Sequence, residues 1–569
     1  MITDAPTTTA SGRRVRPGLV LAIVLTAAFV QLVDVSITNV AVPSIRTDLD
    51  ASFSSVQLVQ SGYQLAFACT LITAARLGDL FGRRRLFIVG MAGFTLASIL
   101  CGTATGPLFL VLARVLQGFM SGLMYPQVLS VIQAVYPPKE RPRAFAALGA
   151  TVGLATILGP LLGGALIELD IAGSQWRSIF LVNVPIGVAA IVAAVRLLPE
   201  SRAPQATSLD VPGAILSALT LLLLILPLTE GRERGWPWWL IAMLVASVPS
   251  GALFIAVQRR KTRDDDSPLV DLRLLDLKGP RVGMPLSLVF FAGVPAFFFT
   301  FSLYLQVGEG FEALQSGLTT IPFAIASGIL SSRSAGLVRR LGRSTLLLGC
   351  LLIAAGMLTA IATVLMVGAD PRPWDFIPAF VLAGAGLGMF AAPNTAVILD
   401  GVPPRQAGQA SGVLATSQQV GGAIGVALVG IVFFGVLSSH APAAAADQAS
   451  TLRAQLTSAG LPAGQADEAV RGFEQCFVDR ASSSDPSAQP PSCRAVQSAD
   501  APPAVTTAFT EAARQAQSAT FGRAIVYGLA YEAAVFLLAA LLVLRLPRQV
   551  RPGGKAPAAG QEAGASRNR

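Results

Sequence analysis

Residues 32–45 read LVDVSITNVAVPSI, part of an apolar run from Pro17 to Ile45 that holds one charged residue, Asp34, at the depth of a membrane span. A helix crosses a ~30 Å hydrocarbon core with roughly 20 apolar residues. A charge at its centre costs roughly 2.5–3.5 kcal/mol by the lower estimates, so chains rarely keep one without a use for it. The run therefore predicts a membrane helix whose carboxylate handles protons or substrate inside a transport protein.

The rest of the chain agrees with that reading. Of 569 residues, 53% are hydrophobic and 13% charged, whereas soluble domains carry about 25% charged residues. Fourteen windows are long and apolar enough to span, at approximately 18–42, 56–75, 86–105, 107–135, 144–168, 177–197, 211–229, 237–258, 283–306, 313–337, 344–367, 375–400, 407–437 and 523–546. Lipid tolerates no unpaired backbone groups, and these windows are far longer than barrel strands, so the fold class is an all-α integral membrane protein with 14 transmembrane helices. Arg13-Arg14-Val15-Arg16 before an apolar run mimics a secretory signal. Thirteen further spans and the lack of a clear small-residue cleavage site predict that this run stays as the first span.

A net charge of +10 could indicate nucleic acid, but the basic residues are distributed as in a membrane protein. With the N terminus inside, 30 of the 42 Lys and Arg residues fall on inside segments. That bias predicts a cell-membrane protein with both termini cytoplasmic. Only four of the 42 are lysine, which with abundant Ala and Gly points to a GC-rich bacterial genome.

The chain divides into a cytoplasmic tail (1–17), six spans (18–200), two added spans with a charged loop (201–281), six further spans (282–546) and a second cytoplasmic tail (547–569). The last six are interrupted by a long outside loop, 438–522. Residues 75–83, ARLGDLFGR, match residues 335–343, AGLVRRLGR, at four of nine positions. Such an echo predicts two halves that rock about a midplane site; recurrence of short basic Gly loops through charge bias alone is the other reading. Cys476 and Cys493 share the outside loop, where a disulfide is expected, free thiols in a floppy loop being the alternative. Ala469, Val470, Phe473 and Phe477 lie at helical spacing within 461–478, and Ala481–Ser492, rich in Ser, Pro and Ala, is expected to be disordered unless closed by the bridge. One histidine and no Cys or His motif of ligand spacing predict no metal site, the absence of a phosphate loop predicts no ATP use, and no cofactor is expected.

Several stretches carry a family resemblance. Leu77-Gly78-Asp79-Leu80-Phe81-Gly82-Arg83-Arg84-Arg85 resembles the signature loop of the major facilitator superfamily. Residues 32–43, the run from Leu112 to Gly118, the glycine-rich run Gly149 to Gly164, and Trp176 to Gly187 resemble motifs of its fourteen-spanner drug:proton antiporter branch. The resemblance implies a two-bundle fold and multidrug efflux by proton antiport. Three departures stand out: Ala75 in place of the loop's first Gly, Ala155 in place of a Gly of the fifth-span motif, and Arg339 where the second loop would need an acid.

The residues support specific roles. Asp79 stands four before Arg83, a spacing that lets the two pair around a turn and, with Gly82, form a conformational latch; a solvated basic loop is the plain alternative. Arg114 is the one basic residue in the middle of an apolar span, and Asp34 is its obvious partner. Burial favours a neutral acid and a nearby guanidinium favours a carboxylate, so movement between those settings could couple protons; a static ion pair joining spans 1 and 4 is the alternative. Gly153, Gly159, Pro160, Gly163 and Gly164 make either a gating bend or a tight packing face in span 5. Glu532 is the other intramembrane acid, a second coupling site unless it snorkels or pairs locally. Tyr63, Gln64, Gln117, Tyr125, Gln127, Asn183, Phe297–Phe299, Tyr304, Gln306, Phe390, Asn394, Gln418 and Gln419 are candidate cavity residues, although most of the phenylalanines would face lipid or core.

The expected function is proton-coupled export of lipophilic, including cationic, small molecules such as drugs or antibiotics, by a protein acting as a monomer among lipids and using no nucleic acid. Export of an endogenous metabolite or lipid would use the same machinery. A membrane sensor is disfavoured because it would not need Asp34 and Arg114, and no enzyme constellation of nucleophile and base is present.

Overall fold

Polar backbone in lipid must bond to itself, and among its described residues the computed structural model accordingly builds fourteen helical segments long and apolar enough to cross a membrane. It describes residues 7–8 and 14–546 except 9–13, 138, 171–172, 203–207, 233, 265–267, 369, 401, 404–405, 483–489 and 495–501. The helices are α1 (Pro17–Asp48), α2 (Phe53–Phe81), α3 (Arg83–Gly102), α4 (Pro107–Val135), α5 (Arg141–Glu168), α6 (Asn183–Leu197), α7 (Val211–Glu230), α8 (Trp238–Arg263), α9 (Lys278–Leu303), α10 (Ile321–Leu341), α11 (Ser344–Val367), α12 (Ile377–Leu399), α13 (Ala407–Ser458) and α14 (Pro503–Val543). Proline opens many of them, including α1, α4, α5 and α7, where its missing N–H costs nothing. Glycines at positive φ, Gly342 and Gly368, end α10 and α11.

Packing repeats with a period of eight helices. In the first six, α2 packs on α4, α3 on α4, α1 on α5 and α3 on α6; in the last six, α10 packs on α12, α11 on α12, α9 on α13 and α11 on α14. The halves meet through α5 against α10 and α2 against α13, which are the same pair under that repeat. The added helices sit outside this scheme: α7 packs on α8, α2 and α13, and α8 turns Val245, Val248 and Leu253 outward. An apolar exterior of this kind suits lipid rather than water.

The Tyr136 hydroxyl at the end of α4 donates to the Pro17 carbonyl at 2.8 Å, placing both on one face, hereafter the entry face. The last turn of α14 lies there too, since Arg343 donates to the Leu544 and Leu546 carbonyls. On this face the halves are in direct contact. Gln133 donates to the Leu399 carbonyl at 3.2 Å and Ser331 to the Ala146 carbonyl at 2.9 Å.

The segment expected as a long loop is helical over most of its described length, including the helix that the spacing within 461–478 predicts. Helix α13 runs on to Ser458 and α14 already begins at Pro503, and with a helix at Ala463–Ser482 they form a cap on the opposite face. Leu452, Leu456, Val470, Phe473, Ala508, Ala512 and Ala516 close a separate core inside it. The physical reason is alanine: it favours helix without raising hydropathy enough to read as a span. Of the stretch expected to be disordered, 483–489 lies outside the described residues. Cys476 and Cys493 are joined by a disulfide, across a sequence separation of 17.

A closed loop of this size restrains the unfolded segment by roughly 3 kcal/mol in the chain-entropy estimate. Replacing both cysteines by serine should therefore speed tryptic cleavage at Arg480 and Arg494 several-fold while the melting of the membrane helices stays unchanged. Equal cleavage rates would show that the bridge restrains nothing.

Candidate functional site

Asp34 lies just past the middle of α1 and is fully buried. Three side chains from two other helices converge on its carboxylate. Arg114 Nη1 of α4 donates to Oδ2 at 2.5 Å, and Gln117 Nε2 of α4 and Asn183 Nδ2 of α6 each donate to Oδ1 at 2.9 Å. Arg114 is held in turn: Nε donates to the Val59 carbonyl at 3.2 Å, Nη1 to Gln117 Oε1 at 2.7 Å, and its guanidinium lies 4.2 Å from the Tyr63 ring centre. Tyr63 donates to Ser121 at 3.0 Å, and Gln117 also reaches Ser98 at 2.8 Å. An ionised group stripped of water is tolerable only when paired and bonded on all sides. This cluster bonds both carboxylate oxygens of Asp34 and holds Arg114 through Nε, Nη1 and the Tyr63 ring.

Expected cavity residues thus separate into groups. Tyr63, Gln117 and Asn183 sit in the shell around the charge pair. Gln64 and Gln306 are exposed, Tyr125, Gln418 and Gln419 are half-buried, and Tyr304 and Asn394 are buried. Gln127 donates to the Ala74 carbonyl at 2.9 Å. Phe297 and Phe390 are core residues of the second half, Phe390 stacked on Phe290 at 3.6 Å, while Phe298 packs on Phe323 and Phe299 on Phe434. Sequence reasoning missed Ser98 and Ser121 as shell members; small hydroxyls in spans usually bond their own backbone, so neither stands out.

At the entry face, Arg83 Nη2 donates to Asp79 Oδ1 at 2.9 Å, with both side chains buried. The Asp79 carboxylate rests on the first turn of α13, so closely that a Cβ on Gly408 would fall 2.4 Å from it. The helix dipole favours an anion there, although Oδ2 accepts no hydrogen bond among the described residues, and the contact joins the halves. Ala75, the departure from the signature, is matched by Gly412 on α13, whose added Cβ would meet the Ala75 Cβ at 2.7 Å. Gly82 ends α2 at φ +107°, and any side chain there would strike the Glu200 carboxylate. Arg339 in the second loop is exposed.

The added helices join the same face. Asp210 caps α7 by accepting from Gly213 N at 2.9 Å, and also accepts from Gln258 at 2.7 Å and Lys261 at 3.2 Å. Burial opposes its ionised form, but these donors prevail and hold its carboxyl below the usual range. Asp271 N donates to Gln409 at 3.0 Å and Gln406 donates back to Asp271 Oδ2 at 2.8 Å, tying the α8–α9 loop to the start of α13.

Helix α5 continues through Pro160 from Arg141 to Glu168. Its Gly159 and Gly163 bring α1 into contact, since a Cβ on either would fall within 3 Å of Ser36 or Ile37. Gly153 faces Ala324 of α10, and Gly164 faces open space. In the second half Glu532 is fully buried, neither snorkelling nor ion-paired, with Thr300 donating to Oε1 at 3.0 Å. Among the described residues no cluster of metal-ligating side chains occurs.

Comparison with known proteins places this geometry in a family. Residues 24–426 match the model of the Major Facilitator Superfamily. A probable actinorhodin transporter of Streptomyces coelicolor is 40% identical over 534 residues, covering 93% of this chain and 92% of that protein. A tetracenomycin C resistance and export protein of Streptomyces glaucescens is 34% identical, covering 75% and 77%. A proton:xylose symporter, XylE, shares the fold at a TM-score of 0.52 and 13% identity, covering 73% and 88%. The chain belongs to the Major Facilitator Superfamily and is a multi-pass membrane transporter.

The Asp79 contact with α13 is worth about 1–2 kcal/mol by the measure of charges at partly buried helix termini. Asp79→Asn, and Arg83→Ala beside it, should slow turnover by roughly tenfold with little change in substrate affinity. Equilibrium binding and transport rate measured on the same reconstituted protein check this; lost affinity with an intact rate would contradict it.

Proposed function

We propose that this superfamily member is a proton-coupled antiporter that exports lipophilic small molecules, cationic ones included, of the antibiotic class for which its relatives are named. In this reading both termini are cytoplasmic, the entry face is the cytoplasmic one, and the cap is extracellular. The observation that carries it is the Asp34–Arg114 pair, fully buried and hydrogen-bonded within the bundle. Protonation of Asp34 would leave Arg114 without its anion, and breaking a buried pair from one side costs about 3–5 kcal/mol. Moving a two-state equilibrium from 1:99 to 99:1 takes about 5.5 kcal/mol. One proton at this carboxylate therefore has most of the leverage needed to exchange one arrangement of the halves for another.

Asp34 also touches the parts that must move. It sits on α1, which packs on α5, and α5 is the first half's contact with α10. A change in the charge pair would reach the interface through Gly159 and Gly163, where no side chain cushions α1 against α5. The latch of Asp79 on α13 would then hold the cytoplasmic face shut until the halves rotate.

Asp34→Asn should insert and fold, because Asn can still accept from Arg114, yet lose efflux driven by an imposed pH gradient. Proteoliposomes assayed with a panel of dyes and antibiotics, with and without the gradient, provide the test. Wild-type gradient-driven efflux by Asp34→Asn at every pH would remove the pair from the coupling mechanism.

A further inference from the structure

The second half contains a buried acid that the Asp34–Arg114 mechanism does not use. Glu532 lies on α14, the sixth helix of its half, as Asn183 lies on the sixth helix of the first. The surroundings differ in one respect: no cation is within ion-pair reach of Glu532 among the described residues. Helix α9 presents Thr300, the single hydrogen-bond donor to the carboxyl, and Oε2 has no partner. Helix α13 brings Val429 and Phe433 to the same region, and α11 contributes Ile353, Met357, Ala360 and the Cys350 thiol to the core that encloses it. On α14 itself the neighbouring titratable group is Tyr531. A dry carboxylate with one neutral donor is unfavourable by several kcal/mol; a protonated acid fits.

Polar side chains interrupt the aromatic packing at intervals between Glu532 and the cap. One turn beyond Thr300 is Tyr304, buried among Phe301 and Phe376, its hydroxyl close enough to Glu309 to interact electrostatically but making no hydrogen bond among the described residues. Here α9 loosens into a π-helical turn, Tyr304–Gly308, a departure that recurs at functional sites. Glu309 is half-buried and accepts from Ser518 of α14 at 2.9 Å. Burial pushes its carboxyl above the usual range. From Thr300 to Glu309 is about 14 Å along the helix axis at ~1.5 Å per residue.

We propose that Glu532 is a second proton-binding carboxyl of the transport cycle, reached from the cap side along α9 by way of Glu309 and Tyr304. The proton held at Glu309 is passed on as its O–H bond breaks, the Tyr304 hydroxyl takes it up while giving its own proton onward, and the Glu532 O–H bond forms; the proton leaves Glu532 when the halves change arrangement, and nothing is oxidised or reduced. This rests on proton-coupled export, and predicts two protons per cycle, one on Asp34 and one on Glu532.

Two measurements test it. In proteoliposomes with the membrane voltage collapsed, an uncharged dye exported by the wild type should reach a limiting gradient of about 100-fold for one pH unit with two protons, and about 10-fold with one, each tenfold step being 1.4 kcal/mol. Glu532→Gln should lower the limit from the first value to the second, whereas Tyr304→Phe and Glu309→Gln should slow the approach to an unchanged limit. An unchanged limit in Glu532→Gln overturns the inference, while a wild type that builds no gradient refutes proton coupling instead. Infrared pH titration of the substrate-free protein in lipid is the second: a carboxyl band present in wild type and Asp34→Asn but absent in Glu532→Gln should titrate. A Glu532 band constant at every pH overturns the inference whatever the transport result, and if Glu532→Gln does not fold, the shift of that band in Glu532→Asp identifies it.

Discussion

An ion pair in the middle of a membrane protein dictates more of its surroundings than any other contact. Asp34 and Arg114 are buried away from the surface, so each must find partners within the bundle, and these come from α2, α4 and α6 as Gln117, Asn183, the Tyr63 ring and the Val59 carbonyl. Removing one member strands the other, at a cost of about 3–5 kcal/mol. That is a large share of the 5–15 kcal/mol by which a typical folded domain is stable. A protein can carry such a pair as a rigid staple or as a switch. The proposal of a switch rests on the location of the pair, one helix away from the interface between halves.

The halves share a packing plan and differ in electrostatics. The first concentrates opposite charges; the second encloses an acid in an aromatic core, where Phe301 touches the rings of Phe297, Phe376 and Phe380. The entry-face contacts are likewise one-sided, because Asp79 rests on α13 while the corresponding loop offers exposed Arg339. Helices α7 and α8 brace this side through Asp210 and Asp271 rather than adding to the core.

Much of the fold was legible because hydropathy answers to one constraint, the thickness of lipid. All fourteen windows correspond to helices. Of the cap only the helix within 461–478 was legible, from the spacing of its apolar residues; the extensions of α13 and α14 were not, because outside lipid long alanine-rich helices leave no hydropathy signal, and 438–522 otherwise read as a loop. At the charge cluster, Asp34 and Arg114 stood out because a charge within an apolar run is conspicuous. The amides did not; Gln117 and Asn183 are equally plausible in a cavity wall, and only the crossing of α1, α4 and α6 shows that they bind the carboxylate. Gly408 was invisible as part of the latch, since its role is the absence of a side chain opposite Asp79.

In the proposed mechanism the protonation state of Asp34 sets the arrangement of the halves. Arg143 on α5 and Arg339 on α10 are exposed near the entry face, and spin labels on Arg143→Cys and Arg339→Cys, in a background without the native free cysteines, report the separation of the halves there. The account predicts that the distance distribution shifts with pH in the otherwise native protein and loses that shift when Asp34→Asn is added. A shift of the same size and midpoint in the Asp34→Asn protein would contradict it.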